Sequence, residues 1–566
     1  MFVKAIRKPL PLIAAILLLV ASIASVSAAP PGVVNVQILA VNDFHGNLEP
    51  PAGSSGRIFD PVLGANVDAG GVEFLATHIS QLRAANPNTV VVSAGDMIGA
   101  SPLISALFHD EPSIEAFNII GLDFNAVGNH EFDEGAMELA RMQEGGCHPV
   151  DGCQDGDDFA GADFRYLSAN VVWEHNGKTL FPAYKIKTFQ GAKVAFIGMT
   201  LEGTPTIVTP SGVAGLQFLD EAETVNALVP RLKKQGIETI VVLIHEGGFP
   251  AAPAPYNGCA GISGPIVDIV NNFDDEVDIV ISGHTHNAYN CVIDNKIVTS
   301  AASFGRLVTD VDVTIDRASG EVTQMTAGNV IVTRTVERHP LLTALVAKYR
   351  ELSAPLANRV IGMITATITR TNNAAGESAL GDVIADSQLA ATTDPAFGGA
   401  VVAFMNPGGI RADLTYEPSK AEQPGEVTYE EAFTVQPFGN SLVTLTLTGA
   451  QIETMLEQQF NGCGVQNANR ILQVSNGFTY SYSASAAPCD KVDPASIMLN
   501  GIVVDPNASY RVTVNSFLAD GGDNFAVLRE GTDRLGGDVD LDALEKYLTA
   551  NSPVAPGPQD RITLLP

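Results

Sequence analysis

Five short segments of this chain join side chains that bind divalent metals to apolar runs that form strands. They read VQILAVNDFHG with Asp43 and His45, VVVSAGD with Asp96, FNAVGNHEFD with Asn129, His130 and Asp133, IVVLIHEGG with His245, and VDIVISGHTH with His284 and His286. Carboxylate, amide and imidazole groups suit hard and borderline cations. Each piece alone has an ordinary reading, because an Asp-Phe-His or a Gly-Asp after a strand commonly makes a turn or a helix cap. Together they are more specific: five of the ten histidines fall inside these segments. His78, His109, His148, His175 and His339 sit in unremarkable settings and read as surface or packing residues.

Each of the five segments is an apolar run of strand length that ends in a polar cluster, which places the chemistry at strand ends. Side chains at i and i+2 of a strand share a face, so Asp43 with His45, and His284 with His286, are expected to reach one locus as pairs. From Val33 to Val336 such runs alternate with helical or loop stretches, and residues 33–336 are expected to form one domain. His339 to Leu352 then places Leu341, Leu342, Leu345, Val346, Tyr349 and Leu352 at helical spacing, with Pro340 at a favoured helix start. This predicts a connecting helix and linker over 337–358, with a second domain over 359–566 after Ala354-Pro355.

The composition agrees with two globular domains, since 566 residues exceed what one core holds and 46% hydrophobic residues are too many for a disordered chain. Lys4, Arg7 and Lys8, an apolar run from Leu10 to Val20, and small residues through Ala29 predict a secretory signal peptide over residues 1–29. That run is shorter than the roughly 20 residues of a membrane span, and neither a lipid nor a C-terminal anchor is indicated, so a mature chain without a membrane span is expected outside the cytoplasm, secreted or in the periplasm or cell envelope. The six cysteines cluster as Cys147 with Cys153, Cys259 with Cys291 and Cys463 with Cys489. Export favours disulfides in these pairs, and the spacings match no four-ligand zinc pattern. Without the three signal cations the chain has 29 basic and 63 acidic residues, a net charge of −34. Nucleic-acid polymers are poor partners for such a surface, and an anionic substrate needs local positive charge such as bound metal.

The order DxH, GD, GNHE, H, GHxH resembles the calcineurin-like metallophosphoesterase superfamily. NPGGIRADL (406–414), QPFGN (436–440) and NSFLADGGDNF (515–525) narrow the resemblance to the secreted 5'-nucleotidase family, which includes UDP-sugar hydrolases and 2',3'-cyclic-nucleotide phosphodiesterases. The resemblance implies an α/β fold: a two-sheet metallophosphatase domain flanked by helices, then a connecting helix and an α/β nucleotide-recognition domain. It implies two divalent metal ions, drawn from zinc, manganese, iron or cobalt. One is expected on Asp43, His45, Asp96 and His286, the second on Asp96, Asn129, His245 and His284, with Asp96 bridging. Two such ions outweigh Asp43 and Asp96 by two positive charges, enough to draw in a phosphate dianion despite the acidic surface.

By the same resemblance His130 stabilises the transferring phosphoryl group or protonates the leaving alkoxide, and Asp133 orients it. A structural or ligating role for His130 is the alternative reading. Phe438 and Phe517 match the aromatic pair that holds a nucleoside base, with core packing as their alternative. Asn406, Asn440 and Asp523 are candidate polar contacts, and Arg411, after the Gly408-Gly409 turn, is a candidate for a ribose or phosphate oxygen. Relatives carry three consecutive glycines where this chain has Pro407-Gly408-Gly409, and an arginine nearer to AGESALGD than Arg370, which is the substrate-binding candidate here. Relatives also rotate their domains about the connecting helix, so an open form would hold the rings away from the metals. The expected function is an exported metal-dependent phosphohydrolase releasing phosphate from nucleotides, a 5'-nucleotidase. The alternatives are a 2',3'-cyclic-nucleotide phosphodiesterase with 3'-nucleotidase activity, a UDP-sugar hydrolase, or a catalytically dead nucleotide-binding or adhesive protein, the last marked by loss of a ligand that here is present.

Overall fold

A computed structural model describes residues 32–566 apart from 52, 209, 252, 253 and 421. The predicted signal peptide lies outside the described residues. The apolar runs become strands of two six-stranded sheets. In the first, strand Val33–Val41 runs parallel to Thr89–Ser93, which continues in parallel to Phe124–Ala126 and Arg165–Leu167. On its other side lie the antiparallel strands Leu307–Asp316 and Val322–Ile331. In the second sheet Thr239–His245 lies between the parallel strands Ala192–Thr200 and Ile279–Ser282.

The two sheets pack face to face, and alternation along each strand divides its side chains between two cores. Ile38, Ala40, Val90 and Val92 meet Val194, Phe196, Val241, Leu243, Ile279 and Ile281 in the core between the sheets. Leu39, Val41 and Val91 point the other way, onto helices Val72–Arg83, Glu111–Ile120 and Ala136–Glu144. Ile240, Val242 and Ile244 similarly meet helices Glu221–Lys234 and Pro265–Asn271. Strands covered on both faces must be apolar at every position, which explains continuous runs such as IVVLI. Their buried C-terminal ends converge on one edge, where loops can carry functional groups on rigid supports.

The connecting helix spans Pro340–Ala357, with Pro340 in its first turn. Leu342, Val346 and Tyr349 join the outer core of the first sheet, whereas Leu341 and Leu352 are exposed. The apolar face is thus narrower than the sequence spacing predicts. The helix also continues through Pro355, five residues beyond the helical spacing that ends at Leu352 and within the expected connecting segment. The hydroxyl of Tyr349 at its centre lies 2.9 Å from carboxylate oxygens of both Glu115 and Asp155 and can donate to either.

The C-terminal part holds a five-stranded mixed sheet in the order Gln473–Val474, Val402–Met405, Ser509–Asn515, Ser441–Thr448, Thr532–Val539. Phe404, Leu445, Leu447, Val512 and Val514 form one of its cores with helix Gly449–Glu457, and helices Ala379–Thr392 and Asp540–Asn551 share another. Thr428 and Thr448 start their helices with capping boxes, as S/T-x-x-E/Q patterns dictate. No helix among the described residues is long and apolar enough to cross a membrane.

All three expected disulfides form, Cys147–Cys153, Cys259–Cys291 and Cys463–Cys489, and among the described residues no cysteine is free. Intact mass under denaturing, non-reducing conditions, with an alkylating reagent present, is expected to show no alkylated cysteine. Addition of any label would contradict the pairing, and peptide mapping would identify the pair at fault.

Candidate active site

The seven predicted metal ligands converge at the C-terminal edge of the two sheets. They do so by a different route from strand alternation. Strand Val33–Val41 ends two residues before Asp43, and Ile279–Ser282 ends two before His284, so both pairs lie in loops. Asp43, His45, Asp96, His284 and His286 all have left-handed backbone, with φ of 50°, 47°, 51°, 69° and 56°. For a residue other than glycine that conformation costs about 1–3 kcal/mol, and asparagine, aspartate and histidine tolerate it best. Five such residues at one locus place the strain where these side chains gather.

Two sets of atoms result. His45 Nε2 lies 3.1 Å from His286 Nε2, and Asp43 Oδ1 is 4.0 and 3.5 Å from the same two nitrogens. His245 Nε2 lies 2.9 Å from Asp96 Oδ2 and 3.1 Å from Asn129 Oδ1, which is 3.0 Å from His284 Nδ1. Asp96 Oδ2 is also 3.6 Å from His45 Nε2, so that one carboxylate faces both sets.

The donors fit metal ions. His45 Nδ1–H donates to the Gly99 carbonyl and His245 Nδ1–H to that of Ala94, each at 2.8 Å, which fixes both tautomers and turns the Nε2 lone pairs inward. Lone pairs on His45 and His286, or on His245 and Asp96, repel at these distances unless a cation or a proton lies between them. The same crowding shapes the pKa values. Burial pushes Asp43 up to about 7 and lowers His45 and His284 to about 3. Burial works against a charged His245 too, but the adjacent Asp96 carboxylate prevails and raises it to about 10.

Two side chains that the sequence reading passed over hold this cluster. Asn42 donates to Asp43 Oδ2 at 2.6 Å and to the Ala302 carbonyl at 2.7 Å, while its own carbonyl accepts from Ala301 N at 2.8 Å. Glu131, buried beneath the cluster, accepts the backbone N–H groups of Asp96 at 2.9 Å, Met97 at 2.9 Å and Gly128 at 2.6 Å. It stands inside GNHE, so the motif itself was the available signal. Gly128 is required for a steric reason, because a β-carbon there would overlap the Asp96 carboxylate.

His130 faces the open side of the cluster. Its Nδ1–H donates to Asp133 Oδ2 at 2.9 Å, and its backbone N–H donates to Asp96 Oδ1 at 2.9 Å. Burial disfavours its protonation, but Asp133 and Asp96 outweigh burial and raise its pKa. The His130 ring lies nearly parallel to that of Phe438, 19° between planes and 5.7 Å between centroids. The C-terminal part is thus apposed to the metal cluster here, with the rings close to it.

A cavity of about 200 Å³ lies at this junction. Asn129, His130, Asp133 and His284 line it from one side; Asn406, Arg411, Phe438, Asn440, Phe517 and Asp523 line it from the other. The Arg411 guanidinium carbon is 5.7 Å from the centre of the Phe438 ring. Asn406 donates to Asp523 Oδ2 at 2.9 Å and accepts from Asn515 at 2.9 Å. Of the predicted substrate residues Arg370 alone does not line the cavity; it donates to the Ile410 carbonyl at 3.2 Å, and its charge acts on Arg411. Arg470 does line it, 3.0 Å from Asp523 Oδ1, and no motif marked that arginine in the sequence.

Comparison with known proteins agrees with this architecture. Residues 36–288 match the calcineurin-like phosphoesterase family, and residues 360–530 match the 5'-nucleotidase C-terminal domain. The endonuclease YhcR of Bacillus subtilis is 31% identical over 95% of this chain, which spans 41% of that relative's length. The cell wall protein Lmo0130 of Listeria monocytogenes is 30% identical over 91% of this chain and 67% of its own length. The crystal structure of a 5'-nucleotidase precursor from Thermus thermophilus superposes with a TM-score of 0.75 at 26% identity, covering 94% of this chain and 99% of that one. Fold and site together define a metal-dependent phosphoester hydrolase. More particularly, the chain belongs to the 5'-nucleotidase family, in which a calcineurin-like phosphoesterase domain is joined to a 5'-nucleotidase C-terminal domain.

Proposed function

We propose that this protein is an exported 5'-nucleotidase that uses two divalent metal ions to release phosphate from nucleotides. The observation that carries this reading is the shared cavity, in which Phe438, Phe517 and Arg411 face His130 and the ligand cluster. A phosphatase of simple esters would need only the metal side. In this reading one ion sits on Asp43, His45, Asp96 and His286, and the other on Asp96, Asn129, His245 and His284. When bound, the ions supply Lewis-acid stabilisation of phosphoryl charge and lower the pKa of water.

The chain's own groups do the rest. Arg411 meets a phosphate or ribose oxygen with its planar fork, and Phe438 and Phe517 hold the base. His130, held through Nδ1–H by Asp133 and protonated at both nitrogens, gives its Nε2 proton to the departing ribose oxygen and is left as the neutral Nδ1–H tautomer. The recognition domain occupies residues 359–566, joined to the hydrolytic domain, residues 33–336, by the helix within 337–358. Export rests on the signal-like residues 1–29, and three disulfides suit an oxidising compartment.

Aromatic stacking on a base is worth about 1–3 kcal/mol by alanine substitution. Phe438→Ala and Phe517→Ala are each expected to lower kcat/KM for a nucleoside 5'-monophosphate by roughly 5- to 150-fold. Hydrolysis of a small aryl phosphate should change little. Equal losses on both substrates would show that the rings support the fold rather than the base.

A further inference from the structure

Away from this cluster, three stretches of chain bring a second set of metal-binding side chains together. His109 lies in the turn before helix Glu111–Ile120, Glu134 in the turn before helix Ala136–Glu144 and Glu138 in its first turn, and His148 with Asp151 lies in the loop closed by Cys147–Cys153. One ligand atom from each of His109, Glu134, Glu138 and His148 lies within 4.8 Å of all the others. The two imidazoles stack face to face, 3.9 Å between centroids and 19° between planes. Two protonated rings so placed would repel each other, whereas two neutral rings can share one cation.

Asp151 gives the pair the outer carboxylate that ligating histidines usually have. Its Oδ2 is 3.1 Å from His109 Nε2 and 3.3 Å from His148 Nδ1, so it can accept from both rings. An ion would then take His109 Nδ1, which is bonded at 2.7 Å to Glu134 Oε2 in its absence, and the remaining nitrogen of His148. The Asp151 N–H also approaches His148 Nδ1 at 3.1 Å, so both tautomers are open to that ring, and ligation through Nε2 selects the one that donates to Asp151. Glu138 is engaged by Arg141 Nε at 2.9 Å and contributes only a remaining lone pair. Both histidine side chains are 15% exposed and Glu134 is 46% exposed, which leaves an entry path and room for water as a further ligand.

We propose that His109, Glu134, Glu138 and His148 bind an additional divalent cation of the zinc class, separate from the catalytic cluster. Two imidazoles with carboxylates suit zinc and its neighbours rather than calcium or magnesium. The site has structural leverage on catalysis. Glu134 follows Asp133, the partner of His130, and His109 precedes Asp110, which accepts from Gly99 N at 2.8 Å while the Gly99 carbonyl accepts from His45. A cation there clamps the disulfide loop to the two loops that stand behind the catalytic groups.

The test is equilibrium dialysis of the full chain against zinc chloride followed by elemental analysis. The chain carrying both His109→Ala and His148→Ala is expected to hold one zinc ion fewer than the unaltered protein, whatever number the catalytic cluster itself retains. Circular dichroism confirms that the variant is folded. Asp151→Asn, which leaves all four ligands in place, is expected to weaken binding of that one ion by about 10- to 100-fold. Equal zinc content in the unaltered and doubly substituted chains would overturn the site and leave a proton-held ion pair in its place. Loss of all zinc would overturn its separateness, and unchanged affinity in Asp151→Asn would overturn the role of the outer carboxylate.

Discussion

His130→Ala is expected to lose roughly 10²–10⁴-fold in kcat while retaining the metals of the catalytic cluster, the span usual for removal of a general acid. The hydrogen bonds favour that separation. The inward-facing nitrogens of His45 and His245 are fixed by backbone carbonyls, whereas His130 is held by Asp133 and lies on the cavity side. Substituting it removes no atom from the proposed Asp43, His45, Asp96 and His286 set or from the Asp96, Asn129, His245 and His284 set, although a His130 nitrogen lies within 4.8 Å of ligand atoms of His45 and Asp96. Elemental analysis beside steady-state kinetics distinguishes the outcomes, and substantial metal loss would make His130 a ligand.

The pH dependence gives the same assignment an independent readout. A general acid must be protonated, so activity should fall as pH rises through the pKa of His130, which Asp133 and Asp96 raise against the effect of burial. Asp133→Asn removes one of those charges, lowers that pKa, and should move the alkaline limb to lower pH. A limb that stays in place would show that another group sets it.

Glu131→Ala is expected to cost stability on the order of 3 kcal/mol or more, because three buried backbone N–H groups lose one acceptor and each orphaned donor costs about 1–3 kcal/mol. Burial first, and then the charge of Asp96, push the Glu131 carboxyl up to about 7, yet backbone donors from two loops converge on it. Those loops carry Asp96 and Asn129. The variant should therefore melt several degrees lower in both metal-free and metal-loaded forms, and should bind metal more weakly even though no ligand is touched. An unchanged melting midpoint in the metal-free form would mean that water replaces the carboxylate without loss.

The convergence of the seven proposed ligands was legible in the sequence because its signal is local. Apolar strands that end in Asp, Asn and His declare both the support and the chemistry within ten residues, and the second-domain motifs do the same for Phe438 and Asp523. What could not be read was whatever depends on distant chain segments meeting. Glu131 looks like any acidic residue until the loops at 96–97 and 128 fold over it. Arg470 gains meaning only beside Asp523, more than fifty positions away in sequence. His109 and His148 read as surface residues because nothing local announces that a disulfide loop stacks one ring on the other. The left-handed backbone at five clustered residues was likewise hidden, since a strand continued past Val41 would satisfy the same pattern. The helix runs beyond Leu352 to Ala357 because Pro355 lies in its last turn, where few backbone bonds remain to be broken.

If the ligand cluster and the aromatic cavity act on one nucleotide, substrate preference must show it. Phosphate release should be measured with the chain reloaded with defined zinc or manganese, across a nucleoside 5'-monophosphate, its 3' isomer, a 2',3'-cyclic nucleotide, a nucleotide sugar and a simple aryl phosphate. The 5'-monophosphate is expected to be hydrolysed with the highest kcat/KM, well above the aryl phosphate, and a chelator is expected to abolish the reaction. Preference for the cyclic or sugar nucleotide would shift the substrate within the family. An aryl phosphate cleaved as efficiently as any nucleotide, or turnover that survives metal removal, would contradict that joint action.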